Sequence, residues 1–302
     1  MLTRKNCECR ICNSVGSYPI TVAKEWRQDR PETFEYFKCE RCGCLQLLQV
    51  PADMGSYYEG YYAVRSVKED EPFVLSNFRS FCLKSLLREG SRVGALLRGF
   101  FPQFFYWVTP NLFDEKSRIL DVGCGSGRLL LKLNNSGFKN LLGVEPYIEK
   151  SLSYKNGLTV LKADVCDLND SFDLIMLHHV LEHMPDQTET FNALKRLLSP
   201  QGTLLINVPV IDSYAWRTYG EMCFQLEDAP RHIFLHTEES IRLMAEKAGF
   251  KIEDVKYYSE PFVLRRSDQM KQFVPTRAIR KEVIDLAKAG DSGLACFYLK
   301  HK

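Results

Sequence analysis

Two short cysteine pairs stand near the start of this sequence, Cys9-Arg10-Ile11-Cys12 and Cys39-Glu40-Arg41-Cys42, with residues 13–38 between them. Four thiolates at this spacing suit a tetrahedral zinc ion in a closed structural site. Asn13 and Gly43 follow the second cysteine of each pair. Both residue types tolerate the left-handed backbone that such a knuckle turn demands. Cys7 and Cys44 sit in C-x-C pairs and are alternates. The other five cysteines, Cys82, Cys124, Cys166, Cys223 and Cys296, are scattered and read as small buried hydrophobes. The opening residues MLTRKNCECR lack the apolar core of a signal peptide, which favours metal over disulfides and a cytoplasmic setting.

A second group of residues fit for chemistry is Asp121-Val122-Gly123-Cys124-Gly125-Ser126-Gly127. It follows an apolar run and opens a helical pattern, the context that a cofactor-binding glycine loop requires. The glycines remove side chains where the backbone must turn tightly and touch a ligand. Residue 128 is Arg, where the nicotinamide fingerprint would place its third glycine. The third group is histidine, whose ordinary titration lies closest to neutrality. His178, His179 and His183 cluster after one apolar run, His232 and His236 lie together further on, and His301 is in the C-terminal tail.

The elements that must hold these groups alternate in type. Residues 118–122, 140–144, 158–162, 172–177 and 203–208 read as strands, with helices at 126–135 and 187–198. Thr237 is a good N-cap for a helix over 238–248, ended by Gly249, and two strand-like runs follow at 252–258 and 294–299. Strands alternating with helices predict a mostly parallel sheet covered on both faces. Residues 65–117 carry apolar residues at helical spacing, broken by Gly94 and Gly99 and stopped by Pro102 and Pro110. The chain therefore divides into a cysteine module at 1–50, an aromatic and helical segment at 51–117, and an α/β domain at 118–302.

The glycine loop after an acidic residue resembles motif I of the class I S-adenosylmethionine (SAM) methyltransferases, and further motifs of that family follow in order. The resemblance implies a Rossmann-like, seven-stranded, mostly parallel sheet and SAM as cofactor. It places Gly123, Gly125 and Gly127 against SAM and Asp121 near its α-ammonium or as a loop-orienting carboxylate. It gives the ribose hydroxyls to Glu145 in GVEP, and the adenine amino group to Asp164, with Val165, in KADVCD. The segment HHVLEH, beginning at His178, is similar to the one that packs beside the cofactor, and residues 197–209 look like the late helix–turn–strand motif. The cysteine module with the following YYEGYY resembles the N-terminal zinc ribbon of some bacterial SAM methyltransferases. Those act on sugars, nucleotide-linked sugars, polysaccharide precursors or specialised metabolites, and their aromatic lid corresponds to residues 57–62, including Tyr62.

Methyl transfer to a hydroxyl or carbon needs alignment and a base. The segment Asp228–Thr237 is similar to the pre-helix motif of the zinc-ribbon sugar methyltransferases, whose histidine corresponds to His232. This makes His232 the first expected base and His179 the second. Those relatives carry an acidic residue before the histidine, where this chain has Arg231. Arg231 is expected to hold a phosphate or carboxylate of the substrate, with His183 also on the substrate side.

Lys+Arg of 40 against Asp+Glu of 38 leaves a formal charge of +2, which argues against broad nucleic-acid binding and for a small-molecule or glycan acceptor. The segment LHHVLEH also lacks the Asn-Pro-Pro-aromatic motif of base-amine methylation. The rival readings are a zinc-ribbon RNA-modifying methyltransferase and a non-catalytic SAM-binding scaffold. No apolar run is long enough to span a membrane. Residues 80–113, with Lys84, Arg88, Arg92 and Arg98, read as a helical subdomain packed on the sheet, with peripheral membrane contact as the alternative.

Overall fold

The structure, a computed structural model, describes residues 3–26, 30–58, 73–100, 106–258, 260–269 and 274–302. Tyr61 and Tyr62, the end of the expected lid, lie outside the described residues. Four strands open the chain: β1 (Arg4–Glu8), β2 (Val15–Lys24), β3 (Thr33–Lys38) and β4 (Leu45–Leu47). Two helices follow, α1 (Phe73–Leu87) and α2 (Arg92–Phe100). The α/β part then runs β5 (Ile119–Val122), α3 (Arg128–Asn135), β6 (Leu141–Val144), β7 (Leu152–Ser153), β8 (Thr159–Leu161), β9 (Phe172–His178), α4 (Gln187–Leu197) and β10 (Leu198–Pro209). It closes with α5 (Tyr214–Tyr219), β11 (Phe234–Leu235), α6 (Glu238–Lys247), β12 (Phe250–Tyr258), α7 (Arg277–Lys288) and β13 (Leu294–His301).

The large sheet has the order β12-β13-β10-β9-β5-β6-β8-β7. Its central strands β10, β9, β5, β6 and β8 are mutually parallel, and β13 runs antiparallel between β10 and β12. This is the expected mixed α/β sheet, with the two-residue β7 as an eighth, edge strand. All four residues of β5 are buried, as a strand covered on both faces requires. The order of the strands brings the carboxyl ends of β5, β6, β8 and β9 to one edge, where an open α/β sheet binds its ligand.

The cysteine module does not stand apart from the sheet domain. Its sheet has the order β1-β2-β3-β4-β11, and β11 comes from the α/β part, pairing antiparallel with β4. One apolar core runs from Ile11, Ile20, Phe37 and Leu47 into Leu120, Ile175 and Ile206. Polar ties cross the same boundary: the Tyr36 hydroxyl donates to the His232 carbonyl at 2.8 Å, and the Thr237 hydroxyl to the Cys42 carbonyl at 2.6 Å.

Gly94 was expected to break the helical segment. It lies inside α2 instead, where a Cβ would stand 2.3 Å from the Ser85 carbonyl, so glycine lets α1 and α2 cross closely. Gly99 also lies within α2. The break between the helices is at Gly90, with φ of 69°. Phe78, Phe81 and Leu96 on these helices are exposed. Among the described residues, no helix is long and apolar enough to cross a membrane.

Candidate active site

The two knuckles fold as their sequence demands. Asn13 and Gly43 have φ of 58° and 72°, and each donates its N–H to the carbonyl of the first cysteine of its pair, Asn13 to Cys9 and Gly43 to Cys39, at 2.9 Å. The Sγ atoms of Cys9, Cys12, Cys39 and Cys42 all lie within 4.8 Å of one another. Cys9 to Cys42 and Cys12 to Cys39 are each 3.6 Å. A tetrahedron of Zn–S bonds near 2.3 Å has edges of roughly 3.8 Å, so this cluster fits a zinc module. The Gln46 amide donates to Cys9 Sγ at 2.9 Å. The Cys42 thiol above all, with the Cys12 N–H and the Gln46 amide, holds Cys9 below the usual thiol range. Cys7 and Cys44 stay outside the cluster, turned to the carbonyls of Lys5 and Leu45. Cys82, Cys223 and Cys296 are buried, and Cys124 and Cys166 are half-buried.

At the carboxyl edge of the large sheet the glycine loop turns through three positive φ values, 67°, 55° and 71° at Gly123, Gly125 and Gly127. A Cβ at Gly123 would meet Val180 at 2.5 Å, and one at Gly127 would meet Val160 at 2.7 Å. A Cβ at Gly125 would meet nothing within 4 Å, so the loop leaves open space there. The Glu145 carboxylate braces the loop, accepting from the Gly125 N–H and the Tyr147 N–H at 3.1 Å each. A cleft of about 590 Å³, counting its open mouth, lies beside the loop. Gly123, Glu145, Asp164, Val165, His179 and His183 line it, and Tyr58 covers it, stacked on Tyr147 at 4.8 Å. Open space at the loop, an acidic residue at each strand end and an aromatic cover fit SAM.

Asp121 is buried behind the loop. Burial pushes its carboxyl up to about 8, and the negative charge of Glu145 adds to the shift. The native state thus keeps a proton that the unfolded chain releases near pH 4, so this group costs stability as pH rises from 4 to 8. Asp121→Asn removes the cost. The ligand-free variant is expected to melt a few degrees higher than wild type at pH 8 and no higher at pH 4, as scanning calorimetry would read.

Opposite the loop, at the end of β9, stands a group of histidines and carboxylates. His179 has a φ of 56°, its side chain is 43% exposed, and it lines the cleft. Its Nε2 meets the Tyr258 hydroxyl at 2.9 Å, and its Nδ1 lies 3.6 Å from Glu182 Oε1. Glu182 is fully buried, and neither of its carboxylate oxygens has a hydrogen-bond partner. Burial alone would raise it, but the facing His179, His183 and His232 hold it below the ordinary carboxylate value. His183 Nδ1 contacts the Arg231 carbonyl at 2.8 Å, and its ring lies 4.9 Å from that of His232.

His232 is placed deeper than the sequence suggested. It is 9% exposed and absent from the cleft lining, and burial lowers it to about 4. Its Nδ1 contacts the Gln225 carbonyl at 2.6 Å, and Asp228 Oδ2 lies 3.6 Å from its Nε2. His236 is fully buried against Ser240 and Gln187, and His301 meets the Leu198 carbonyl. His178 does not turn its side chain into the cleft. Its ring packs edge-on against Trp107 and meets the Asn207 amide, and burial lowers it to about 3.

Arg231 requires a correction. It was expected to hold a substrate anion, yet its side chain is wholly buried. It donates to Asp228 Oδ1 at 2.6 Å and to the Tyr57 carbonyl at 2.8 Å, and Glu25 lies 3.7 Å away. It ties the ribbon, the aromatic segment and the His232 loop together instead of facing the cleft. Removing one partner of a buried charge set typically costs about 3–5 kcal/mol. Arg231→Ala is therefore expected to lose stability of that order, measured by urea unfolding. The carboxylates Glu182, Asp228 and Glu25 and the phenol of Tyr258 were not picked out from sequence. Local signals among them are Asp228, three and four residues before Arg231 and His232, and the HHVLEH setting of Glu182.

A family model for a methyltransferase domain matches residues 94–255. Among curated proteins, a tRNA U34 carboxymethyltransferase of Desulfotalea psychrophila is 27% identical over 158 residues, covering 46% of this chain and 47% of that protein. One of Hydrogenovibrio crunogenus is 31% identical over 162 residues, covering 48% of each. The chain thus spans about half the length of the curated relatives it matches. A solved S-adenosylmethionine dependent methyltransferase from Mesorhizobium loti is 21% identical with a TM-score of 0.43, covering 71% of this chain and 99% of that one. With more than half of its 302 residues matched by the methyltransferase domain model, the chain belongs to that family and is a SAM-dependent methyltransferase.

Proposed function

We propose that the enzyme transfers the methyl group of SAM to a hydroxyl of a small-molecule or glycan acceptor, a sugar or a nucleotide- or lipid-linked sugar, with His179 as base. The supporting observation is the composition of the cleft. Among its described lining residues are Glu145, Asp164, His179 and His183, and no lysine or arginine. Carboxylates and imidazoles match the hydroxyls of a polyol, whereas a phosphate backbone calls for cationic partners. Any phosphate of a carrier therefore stays outside this wall.

In this reading the glycine loop, Glu145 and Asp164 hold the adenosyl part, and Asp121, buried behind the loop, orients it from within the sheet. SAM supplies an electrophilic methyl group on a sulfonium. Tyr58 and the stacked Tyr147 keep water from it. The sequence put His232 ahead of His179 as base. The burial of His232 behind His183 reverses that order, because a base must come within hydrogen-bond reach of the proton it takes. A zinc ion on Cys9, Cys12, Cys39 and Cys42 is structural and fixes the ribbon against the loop that carries His232.

A second reading, an RNA acceptor, draws support from the relatives named as tRNA U34 carboxymethyltransferases. One competition separates the two. Purified enzyme with SAM is offered nucleotide sugars, lipid-linked glycans and bulk tRNA, and mass spectrometry follows the gain of one methyl. Methylation confined to the sugar pools is the expected result. Methylated tRNA with untouched sugars would replace the glycan reading by the RNA one.

A further inference from the structure

We propose that Glu182, His183 and His232 hold a divalent metal ion of the zinc, cobalt or manganese class at the acceptor wall of the cleft, separate from the cysteine site. Their nearest ligand atoms all lie within 4.8 Å of one another. Each imidazole is oriented by its other nitrogen. His183 Nδ1 lies 2.8 Å from the Arg231 carbonyl, and His232 Nδ1 lies 2.6 Å from the Gln225 carbonyl. A carbonyl only accepts, so both Nδ1 atoms carry the hydrogen and both Nε2 atoms present a lone pair. A ring nitrogen donating to a backbone carbonyl is the usual support of a metal-bound histidine.

The third member points the same way. Glu182 is 0% exposed and both its oxygens lack a hydrogen-bond partner. Its Oε1 lies 4.0 Å from His232 Nε2, too far for a direct hydrogen bond. A buried carboxylate without a hydrogen bond, facing two lone pairs and approached by His179 Nδ1 only to 3.6 Å, is a costly arrangement unless a cation stands among them. Two histidines and one carboxylate also leave coordination positions open for a ligand. Of the three, His183 reaches the cleft lining. An oxygen of the acceptor bound there would be held and acidified beside His179. An acceptor offering two neighbouring oxygens, such as a vicinal diol, fits best. The role in catalysis rests on the acceptor wall proposed above, whereas the metal site itself does not.

The test counts metal. The 302-residue chain is dialysed against excess Co²⁺ and then metal-free buffer, and bound metal per chain is measured by mass spectrometry with the absorption spectrum. Two equivalents are expected, one with thiolate-to-cobalt charge-transfer bands and one with only ligand-field bands. Glu182→Gln and His183→Gln should each lose the second equivalent and keep the first, while His179→Ala keeps both. His183 is half-buried, so its variant remains informative if Glu182→Gln does not fold. A single equivalent in wild type, or an unchanged count in both variants, overturns the site. SAM affinity is read on the same samples. Its retention with one metal sinks this inference alone, and its loss sinks the reading of the cleft.

Discussion

Cys39→Ser, or removal of the ribbon zinc by a chelator, is expected to abolish most turnover while leaving SAM binding in place. The two effects separate because the glycine loop belongs to the parallel sheet, whereas the acceptor wall leans on the ribbon. Strand β4 pairs with Phe234 and Leu235, the Tyr36 hydroxyl holds the His232 carbonyl, and Thr237 holds the Cys42 carbonyl. A zinc ion on the four thiolates would bring together two knuckles that the chain itself separates by the β2–β3 hairpin. Structural zinc contributes on the order of 10 kcal/mol in small fingers. Here part of that is replaced by the shared core with the sheet domain, so loss of the ion should loosen the ribbon without unfolding the whole chain. A misplacement of about 1 Å in the wall suffices for a ~10²-fold drop in kcat. Metal content, calorimetric SAM affinity and turnover on one sample provide the check. A zinc-free variant with full turnover would remove the ribbon from the mechanism.

What could be read from sequence divides along the line between local and tertiary determinants. The placement of the glycine loop, Glu145 and Asp164 at the cleft and the gathering of the four cysteines were legible because each lies in a contiguous motif whose backbone needs are local, such as the positive φ at Asn13, Gly43 and Gly123. Helix α6 was legible from its caps: the Thr237 side chain accepts from the Ser240 N–H, as a capping residue should. Helix α7 offered only Ile279, Val283 and Leu286 at helical spacing among charged residues, and only Val283 is buried. The burial of Arg231 could not be read, because Glu25 and Tyr57 reach it only after the ribbon folds onto the sheet domain. The same holds for Glu182, whose HHVLEH context marks a cofactor edge but says nothing of three histidines converging on one carboxylate. Gly94 shows the opposite failure: a residue that breaks helices in isolation is kept in one for the space it leaves to Ser85.

His179→Ala is expected to lower kcat by about 10²–10⁴-fold with little change in SAM affinity. His179 stands where the chain leaves β9, and its φ of 56°, uncommon for a residue with a Cβ, belongs to a turn that sets the ring at the cleft. With Nδ1 directed at the buried Glu182 carboxylate, Nε2 is the basic nitrogen, and the Tyr258 hydroxyl donates to it. Tyr258 is buried and outside the cleft lining, so an acceptor hydroxyl has to take the place of this hydroxyl at Nε2. In the proposed reaction the proton would move from the acceptor to Nε2 as the oxygen attacks the methyl group, and Glu182 would stabilise the resulting imidazolium. Tyr258→Phe keeps the ring stack with Tyr106, 3.7 Å between centroids, and removes only the donor, so its loss should be much smaller. A base also predicts partial rescue of His179→Ala by added imidazole, which a packing role does not. Single-turnover rates with SAM bound separate the chemical step from binding. An alanine variant within twofold of wild type in that step would return the base assignment to His232.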